Sequence, residues 1–160
     1  MIRAILCLVV FMTTALPAIA ADSGTAVFER KLAAAEQGDS EAQYDVAYRF
    51  EKGRGVDEDE DEAFAWYRKA AEQGLAKAQY KVGMCYLKGK GVDPDKREAR
   101  TWLRKAADQG YPPAQYHLGK LYAARPDRDY QLALEWLEKA QDNGYEPATR
   151  EISKVRRKIN

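Results

Sequence analysis

AQYKVGMCYLKGKGVDPDKREARTWLRKAADQGYPP, residues Ala78 to Pro113, is written two more times in this chain of 160 residues. The same frame opens at Ala42 (AQYDVAYRFEKGRGVDEDEDEAFAWYRKAAEQGLAK) and at Ala114 (AQYHLGKLYAARPDRDYQLALEWLEKAQDNGYEP). The starts are 36 residues apart, and a further alanine, Ala148, follows 34 residues later. Self-similarity at a period of 20 to 50 residues is the mark of a stacked repeat protein. Three repeats are therefore expected, near 42–77, 78–113 and 114–147.

Each unit reads as two helices. In the first, Tyr80, Val82, Gly83 and Tyr86 recur as Tyr44, Val46, Ala47 and Phe50, and again as Tyr116, Leu118, Gly119 and Tyr122, with apolar or small residues on one side at helical spacing. In the second, Ala99, Trp102, Leu103, Ala106 and Ala107 follow the i, i+3, i+4, i+7, i+8 stripe of an amphipathic helix. Gly74, Gly110 and Gly144 stand where a helix C-terminus needs a residue free to take positive φ. Between the helices, GRGVDEDED and GKGVDPDK supply glycines for a turn, and acids where the dipole of the second helix favours negative charge. The three tryptophans share one repeat position, which marks them as packing residues.

The ends read as half-repeats. Residues 25–37 match a second helix without its first, with Val27, Phe28 and Leu32 packing onto the first full unit. Residues 146–158 match a first helix without its second, with an apolar stripe of Ile152, Val155 and Ile159. A stack needs such polar-backed caps, because an open end exposes a hydrophobic face. The expected fold is an all-α solenoid of helix-turn-helix repeats, about three full units with a capping helix at each end.

The phase A-Q-Y-x-[VL]-[GA]-x-x-[YF], then G-x-G-V-D, then A-x-x-W-x-x-K-A-A-x-x-G resembles the Sel-one-like repeat family, relatives of the tetratricopeptide repeats. The resemblance covers roughly residues 25–158. The third repeat departs from it: Ala123-Ala124-Arg125-Pro126-Asp127 replaces the glycine loop and is two residues shorter. Trp136, Lys139, Ala140 and Gly144 keep their phase, so the helix pair is expected to survive.

Residues 1–20 do not belong to that pattern. Arg3 precedes an apolar run from Ala4 to Met12, and Ala18-Ile19-Ala20 supplies the small residues of a cleavage site. This is the grammar of a secretory signal peptide. The run is about half the ~20 residues that a spanning helix requires, so no stable membrane insertion is expected after cleavage. The domain would then be residues 21–160, and its location periplasmic or secreted. Only Cys85 remains in that part, and one thiol closes no intramolecular bridge, so packing must hold the fold. Family members that bind or hydrolyse β-lactams carry a cysteine pair in every repeat, and this chain has none.

Motifs for catalysis are missing. His117 is the sole histidine, and Ser23, Ser40 and Ser153 have no S-x-x-K or G-x-S-x-G setting, so no nucleophile with its base can be assembled. No zinc cluster can be built either, and the six acids Asp57–Glu62 lack the glycine and glutamate spacing of a calcium loop. GKGVD is no phosphate-binding loop. No enzyme activity, metal or cofactor is expected.

Charge says more. Beyond Arg3 the chain holds 25 basic and 25 acidic side chains, which argues against nucleic acid as a general partner. The balance is lopsided, with 7 basic and 14 acidic side chains in residues 22–73, and 18 and 11 in residues 74–160. Sequence order is spatial order in a solenoid, so the net −7 and +7 halves become poles. These could steer a partner or bring copies together head to tail.

First helices line the concave side of related solenoids. By that resemblance the protein-binding positions are Tyr44, Tyr48 and Lys52, then Tyr80, Met84 and Lys88, then Tyr116 and Lys120, then Arg150 and Lys154. Tyrosine offers a large contact area with a polar tip. The strict repetition of Tyr44, Tyr80 and Tyr116 fits packing as well as contact, whereas Tyr48, Met84 and Lys120 vary and are better placed for specificity. Arg68 and Arg104 are expected to face outward on second helices. The function implied is an exported protein-interaction module, an adaptor or regulatory scaffold. The alternative is a periplasmic immunity or inhibitor protein neutralising a toxic enzyme, with a cell-wall or β-lactam enzyme behind both.

Overall fold

The structure, a computed structural model, describes residues 24–124 and 128–159. The signal-peptide reading of residues 1–20 and the turn of the third repeat at residues 125–127 lie outside the described residues. Within them the chain forms eight helices and no strand: α1 (Gly24–Glu36), α2 (Ser40–Lys52), α3 (Glu60–Glu72), α4 (Ala76–Lys88), α5 (Lys96–Asp108), α6 (Pro112–Ala123), α7 (Tyr130–Asp142) and α8 (Pro147–Ile159). Each helix packs on the next in the chain, and α6 also touches α8. The three repeats are α2–α3, α4–α5 and α6–α7, with α1 and α8 as the caps.

Helix boundaries follow from local chemistry. Asp59 and Asp95 precede α3 and α5 in extended conformation. Asp59 Oδ1 accepts from the backbone N–H of Asp61 and Glu62, both at 2.9 Å, and Asp95 Oδ1 from Arg97 at 2.7 Å and Glu98 at 3.2 Å. Such caps satisfy donors that the first helical turn leaves open. Even with its shorter loop, the third repeat keeps the device: Asp129 Oδ1 accepts from Leu132 N at 2.9 Å. The second glycine of each G-x-G loop is needed for close approach. A Cβ on Gly91 would lie 2.0 Å from the Glu60 carbonyl oxygen, and one on Gly55 2.0 Å from that of Gly24, so the loop of one unit rests on the first turn of the second helix before it.

The core is continuous along the stack. Ala99, Trp102, Leu103, Ala106 and Ala107 are all buried, as are Trp66 and Trp136 at the equivalent places. Gly83 and Gly119 have no Cβ because Leu103 and Leu137 fill that space; a Cβ there would meet their Cγ at 2.7 Å. Phe28 is buried and sits edge-on to Phe50 at 5.3 Å, which seats the N-terminal cap. At the other cap Ile152 and Val155 are buried, but Ile159 is 41% exposed. The apolar stripe of α8 is therefore one residue shorter than expected.

One buried polar contact repeats with the stack. Gln43, Gln79 and Gln115 donate through Nε2 to the carbonyls of Ala35, Ala71 and Ala107 at 3.1, 3.2 and 3.2 Å. Their Oε1 atoms accept from Gln73, Gln109 and Asn143, residues at the end of the following second helix, at 2.7, 2.8 and 3.0 Å. Each glutamine thus satisfies the end of the helix before it and is satisfied by the end of the helix after it.

Two stability predictions follow from this packing. Trp102→Ala is expected to cost ~3 to 5 kcal/mol in urea unfolding, since it empties a buried aromatic site; a loss below about 1 kcal/mol, the size of a surface change, would remove Trp102 from the core. Gln79→Ala removes two hydrogen bonds, the one into the Ala71 carbonyl, which keeps the Gly74 N–H at 3.0 Å, and the one from the Gln109 amide, which keeps the Gly74 carbonyl at 3.0 Å. At ~0.5 to 1.5 kcal/mol for each bond it is expected to cost ~1 to 3 kcal/mol. A change within the scatter of surface variants would contradict that role.

Candidate functional site

The exposed sides of α2, α4, α6 and α8 form one face, and the ten residues expected to bind a partner lie on these four helices. The repeated tyrosines pack along it by their rings: Tyr44 on Tyr67 at 5.2 Å, Tyr80 on Tyr111 at 5.4 Å and Tyr116 on Tyr145 at 5.2 Å. All three are half-buried. Burial pushes the Tyr44 and Tyr80 hydroxyls up to about 12, so they stay protonated donors. His117 lies between Tyr80 and Tyr116, with ring centroids 5.7 and 5.2 Å away. Burial first, then the neighbouring Lys120 and Lys88, hold its imidazole down to about 4, which keeps it neutral at physiological pH.

The variable positions stand beside these rings. Tyr48 receives the Arg54 guanidinium at 5.2 Å and the Lys81 ammonium at 5.8 Å from its ring centre. Lys120 lies 5.3 Å over Tyr116. Lys154 pairs with Glu151 at 2.9 Å, and Arg150 is exposed.

Met84, Lys52 and Lys88 line a cleft of about 290 Å³ between α2 and α4, floored by α3. Its centre is a polar cluster. Tyr67 donates its hydroxyl to Glu51 Oε2 at 2.6 Å, Lys81 donates to the same oxygen at 2.7 Å, and Lys52 approaches Oε1 at 3.2 Å. Burial alone would raise the Glu51 carboxyl, but the hydrogen bonds from Lys81 and Tyr67 outweigh it and hold it down to about 2. Burial and the bond to Glu51 keep the Tyr67 hydroxyl protonated. Cys85 lines the same cleft, its thiol pushed up to about 11 by burial, so it is a packed group and a poor nucleophile.

Glu51, Tyr67 and Lys81 were not among the expected site residues. The signal was nevertheless in the repeats: Tyr67 stands where the other units carry Leu103 and Leu137, Glu51 where they carry Leu87 and Ala123, and Lys81 where they carry Asp45 and His117. Two departures from the chain's apolar pattern, Tyr67 and Glu51, meet a lysine at a position that differs in every repeat. Arg104 differs from expectation too. It is half-buried, donates to the Tyr122 hydroxyl and lies 5.7 Å from the ring centres of Tyr122 and Trp136, so it is a packing residue between repeats. Arg68 is exposed and pairs with Glu72 at 2.9 Å. Among the described residues no group of three or more His, Cys, Asp or Glu side chains could hold a metal, and no helix is long and apolar enough to cross a membrane.

Besides the helix-capping Asp95, whose carboxyl is held down by the N–H groups of Glu98 and Arg97, the depressed groups are His117 and Glu51, and these two set a pH dependence on this face. Both His117 and Glu51 bind a proton less readily folded than unfolded, so each contributes stability above its unfolded pKa that is lost as pH falls through its folded pKa. The windows are about pH 6.5 to 4 for His117 and 4.5 to 2 for Glu51. Urea midpoints measured across pH should show the upper slope vanish in His117→Gln and the lower one in Glu51→Gln. A Glu51→Gln profile parallel to wild type below pH 4.5 would contradict the cluster.

A family model described as the Sel1 repeat matches residues 40–75, 76–111 and 112–145. Its frame opens two residues before each A-Q-Y and coincides with the starts of α2, α4 and α6. Among solved structures, a Sel1 repeat protein from Oxalobacter formigenes is 34% identical over 79% of this chain and 56% of its own, with a TM-score of 0.71. The protective antigen c5321 of uropathogenic Escherichia coli, displaying an SLR fold, is 32% identical over 80% of this chain and 28% of its own, with a TM-score of 0.76. Immunity protein Pa5087 from Pseudomonas aeruginosa is 29% identical over 79% and 48%, with a TM-score of 0.56. The chain thus spans little more than half the length of the first of these and about a quarter of the second. Comparison with curated proteins returned no match. Three matched repeats, the helix pairs that carry them and a solved relative at 34% identity say the same thing: the chain belongs to the Sel1 repeat family.

Proposed function

We propose that this chain is an exported protein-binding module, an adaptor or regulatory scaffold that holds a protein partner on the face of α2, α4, α6 and α8 and performs no chemistry itself. The observation that carries this is the cleft at Glu51. A stack needs only uniform packing between units, yet Tyr67 and Glu51 stand where the other units carry apolar residues, and both engage Lys81 or each other. They line a recess whose rim offers Met84 and the exposed Lys52 and Lys88, with Tyr48 beside Lys81. A tyrosine and a flexible methionine at the edge of a recess, beside side chains with charge, are of the types enriched in protein-binding surfaces. The groups that could do chemistry are poorly placed for it: His117 is boxed between two tyrosine rings, and Cys85 holds its proton on the floor of the cleft. Export rests on the leader-like residues 1–20 alone.

A second reading, an immunity or inhibitor protein that neutralises one toxic enzyme, is favoured by the similarity to immunity protein Pa5087. The two readings share the binding face and differ in the partner.

The test is site-specific photo-crosslinking in cells that express the full chain. Benzophenone side chains placed at Tyr48 and Met84 should give protein adducts, and one at Arg68 on α3 should not. Tyr48→Ala and Met84→Ala should raise the dissociation rate of the captured partner about tenfold or more, as loss of an anchoring side chain does. Adducts from Arg68 alone would move the interface to the opposite face. A captured enzyme that loses its activity on stoichiometric addition of this chain would identify the immunity role, and a partner that keeps its activity the scaffold role.

A further inference from the structure

Resting on the reading that this face binds protein, we propose that the segment it receives is acidic: an extended stretch of the partner, laid across α2, α4, α6 and α8, with carboxylate side chains seated in two basic clefts. The first is the Glu51 cleft, which gathers Lys52, Lys81, Lys88 and Lys90 around two carboxylates. Both acids are already committed. Glu51 takes Tyr67 and Lys81 on one oxygen and Lys52 on the other, and Glu60 takes Lys90. Lys88 makes no ion pair among the described residues.

The second cleft, about 510 Å³, lies between α6 and α8 and gathers Lys120, Lys154, Arg157 and Lys158 beside Tyr130 and Val155. Its one carboxylate, Glu151, is taken by Lys154 at 2.9 Å. Lys120, Arg157 and Lys158 make no ion pair among the described residues.

Eight cations therefore face three carboxylates along this line, in a chain whose charges beyond the leader balance at 25 and 25. What remains uncommitted is N–H donors and positive charge, with no spare carboxylate, so a ligand must bring acceptors. Met84 in one cleft and Val155 with Tyr130 in the other add apolar surface for side chains between the acids. A protein segment fits this better than the other polyanions. A nucleic acid has no side chain for the apolar surface of Met84 and Val155, and a membrane surface would find Ile159 as the one exposed large apolar side chain among the described residues.

The experiment uses the full chain and a fluorescein-labelled, end-capped nonapeptide of three Glu-Leu-Glu units, read by anisotropy. The probe should bind, and its Gln-for-Glu version should bind at least about tenfold more weakly. The double variant Lys88→Glu, Lys120→Glu should lose about tenfold or more, while Lys96→Glu, Arg97→Glu on α5, an equal change of charge on exposed positions, should lose less than about twofold. Binding should weaken as salt rises, because exposed charges are screened. Equal loss in the two double variants, equal binding of the Gln probe, no binding of the Glu probe at millimolar concentration, or tighter binding to phosphatidylglycerol vesicles or a single-stranded oligonucleotide would overturn the proposal. Cross-links from Tyr48 to a partner that persist in Lys88→Glu, Lys120→Glu would overturn this inference alone and leave the protein-binding face standing. Loss of cross-links from both Tyr48 and Met84 in the wild-type background would overturn both.

Discussion

The contact on which the rest of the stack depends is the buried glutamine of each first helix. The carbonyl near the end of each helix that precedes a unit takes a backbone N–H, from Gly38, Gly74 or Gly110, and a further donor from a side chain. Gln43, Gln79 and Gln115 supply that donor with one amide each, donating backward to the end of the preceding helix and accepting from the end of the second helix of their own unit. A hydrocarbon side chain here would fill the volume but forgo both bonds, each worth ~0.5 to 1.5 kcal/mol. Because the donating bond crosses to the neighbour while the accepting bond ties the unit's own two helices, a unit cannot slide along the one before it without breaking a directional contact, so the polar contact adds a register that the apolar stripe only favours. The series ends at the cap, where Thr149 stands in the glutamine position and accepts from Gln141 at 2.8 Å.

With register fixed this way, other positions are free to vary, and the Glu51 cluster shows how far. Gly83 and Gly119 give up a Cβ so that Leu103 and Leu137 can press against the backbone; the first repeat has Ala47 and Tyr67 instead. Tyrosine in that place keeps its ring in the core, at 1% exposure, and carries a hydroxyl through to the face where Glu51 waits. The core thereby holds a surface carboxylate in a set position. Such preorganisation lowers what a partner must spend in ordering side chains on binding.

Most of the fold was legible because its determinants are periodic. The tryptophan position, the alanine stripe of α5 and the glycines at 74, 110 and 144 recur in phase, and all three of those glycines take positive φ. The role of the glutamines was not legible, although each stands in the quoted A-Q-Y motif, because a polar residue between apolar neighbours reads as surface until its two partners, one at the end of the preceding helix and one at the end of its own unit's second helix, are seen together. Arg104 was misread for the same reason: its position is outward within its own helix pair, but the next repeat supplies Tyr122 and Trp136 to cover it. Ile159 was misread in the opposite sense, since helical phase alone does not say whether a neighbour covers the last turn. Of the candidate site, the face could be named from the family resemblance. The cleft could not, because Tyr67 belongs to a second helix and becomes part of the site only by reaching through the core.

The charge split gains a structural sense from the junctions between units. Between the first and second repeats Lys77 meets Glu41, Lys81 meets Glu51 and Lys90 meets Glu60, so that the basic side chains of one unit are spent on the acids of the one before it. At the next junction the equivalent places hold Pro113 against Lys77, His117 against Leu87, and Lys96 in the position of Glu60, and no such stitching is possible. The exposed pairs, Lys77 with Glu41 and Lys90 with Glu60, are individually worth ~0 to 1 kcal/mol, and only the part-buried Lys81–Glu51 pair bears on stability. Their consequence lies in what is left over. Lys77, Lys81 and Lys90 are taken by acids at the N-terminal junction, whereas Lys88 and Lys120, on the same face as the tyrosines, make no ion pair among the described residues. A solenoid built from near-identical units thus presents two different surfaces along one face, because the acids that would make the second junction resemble the first are absent.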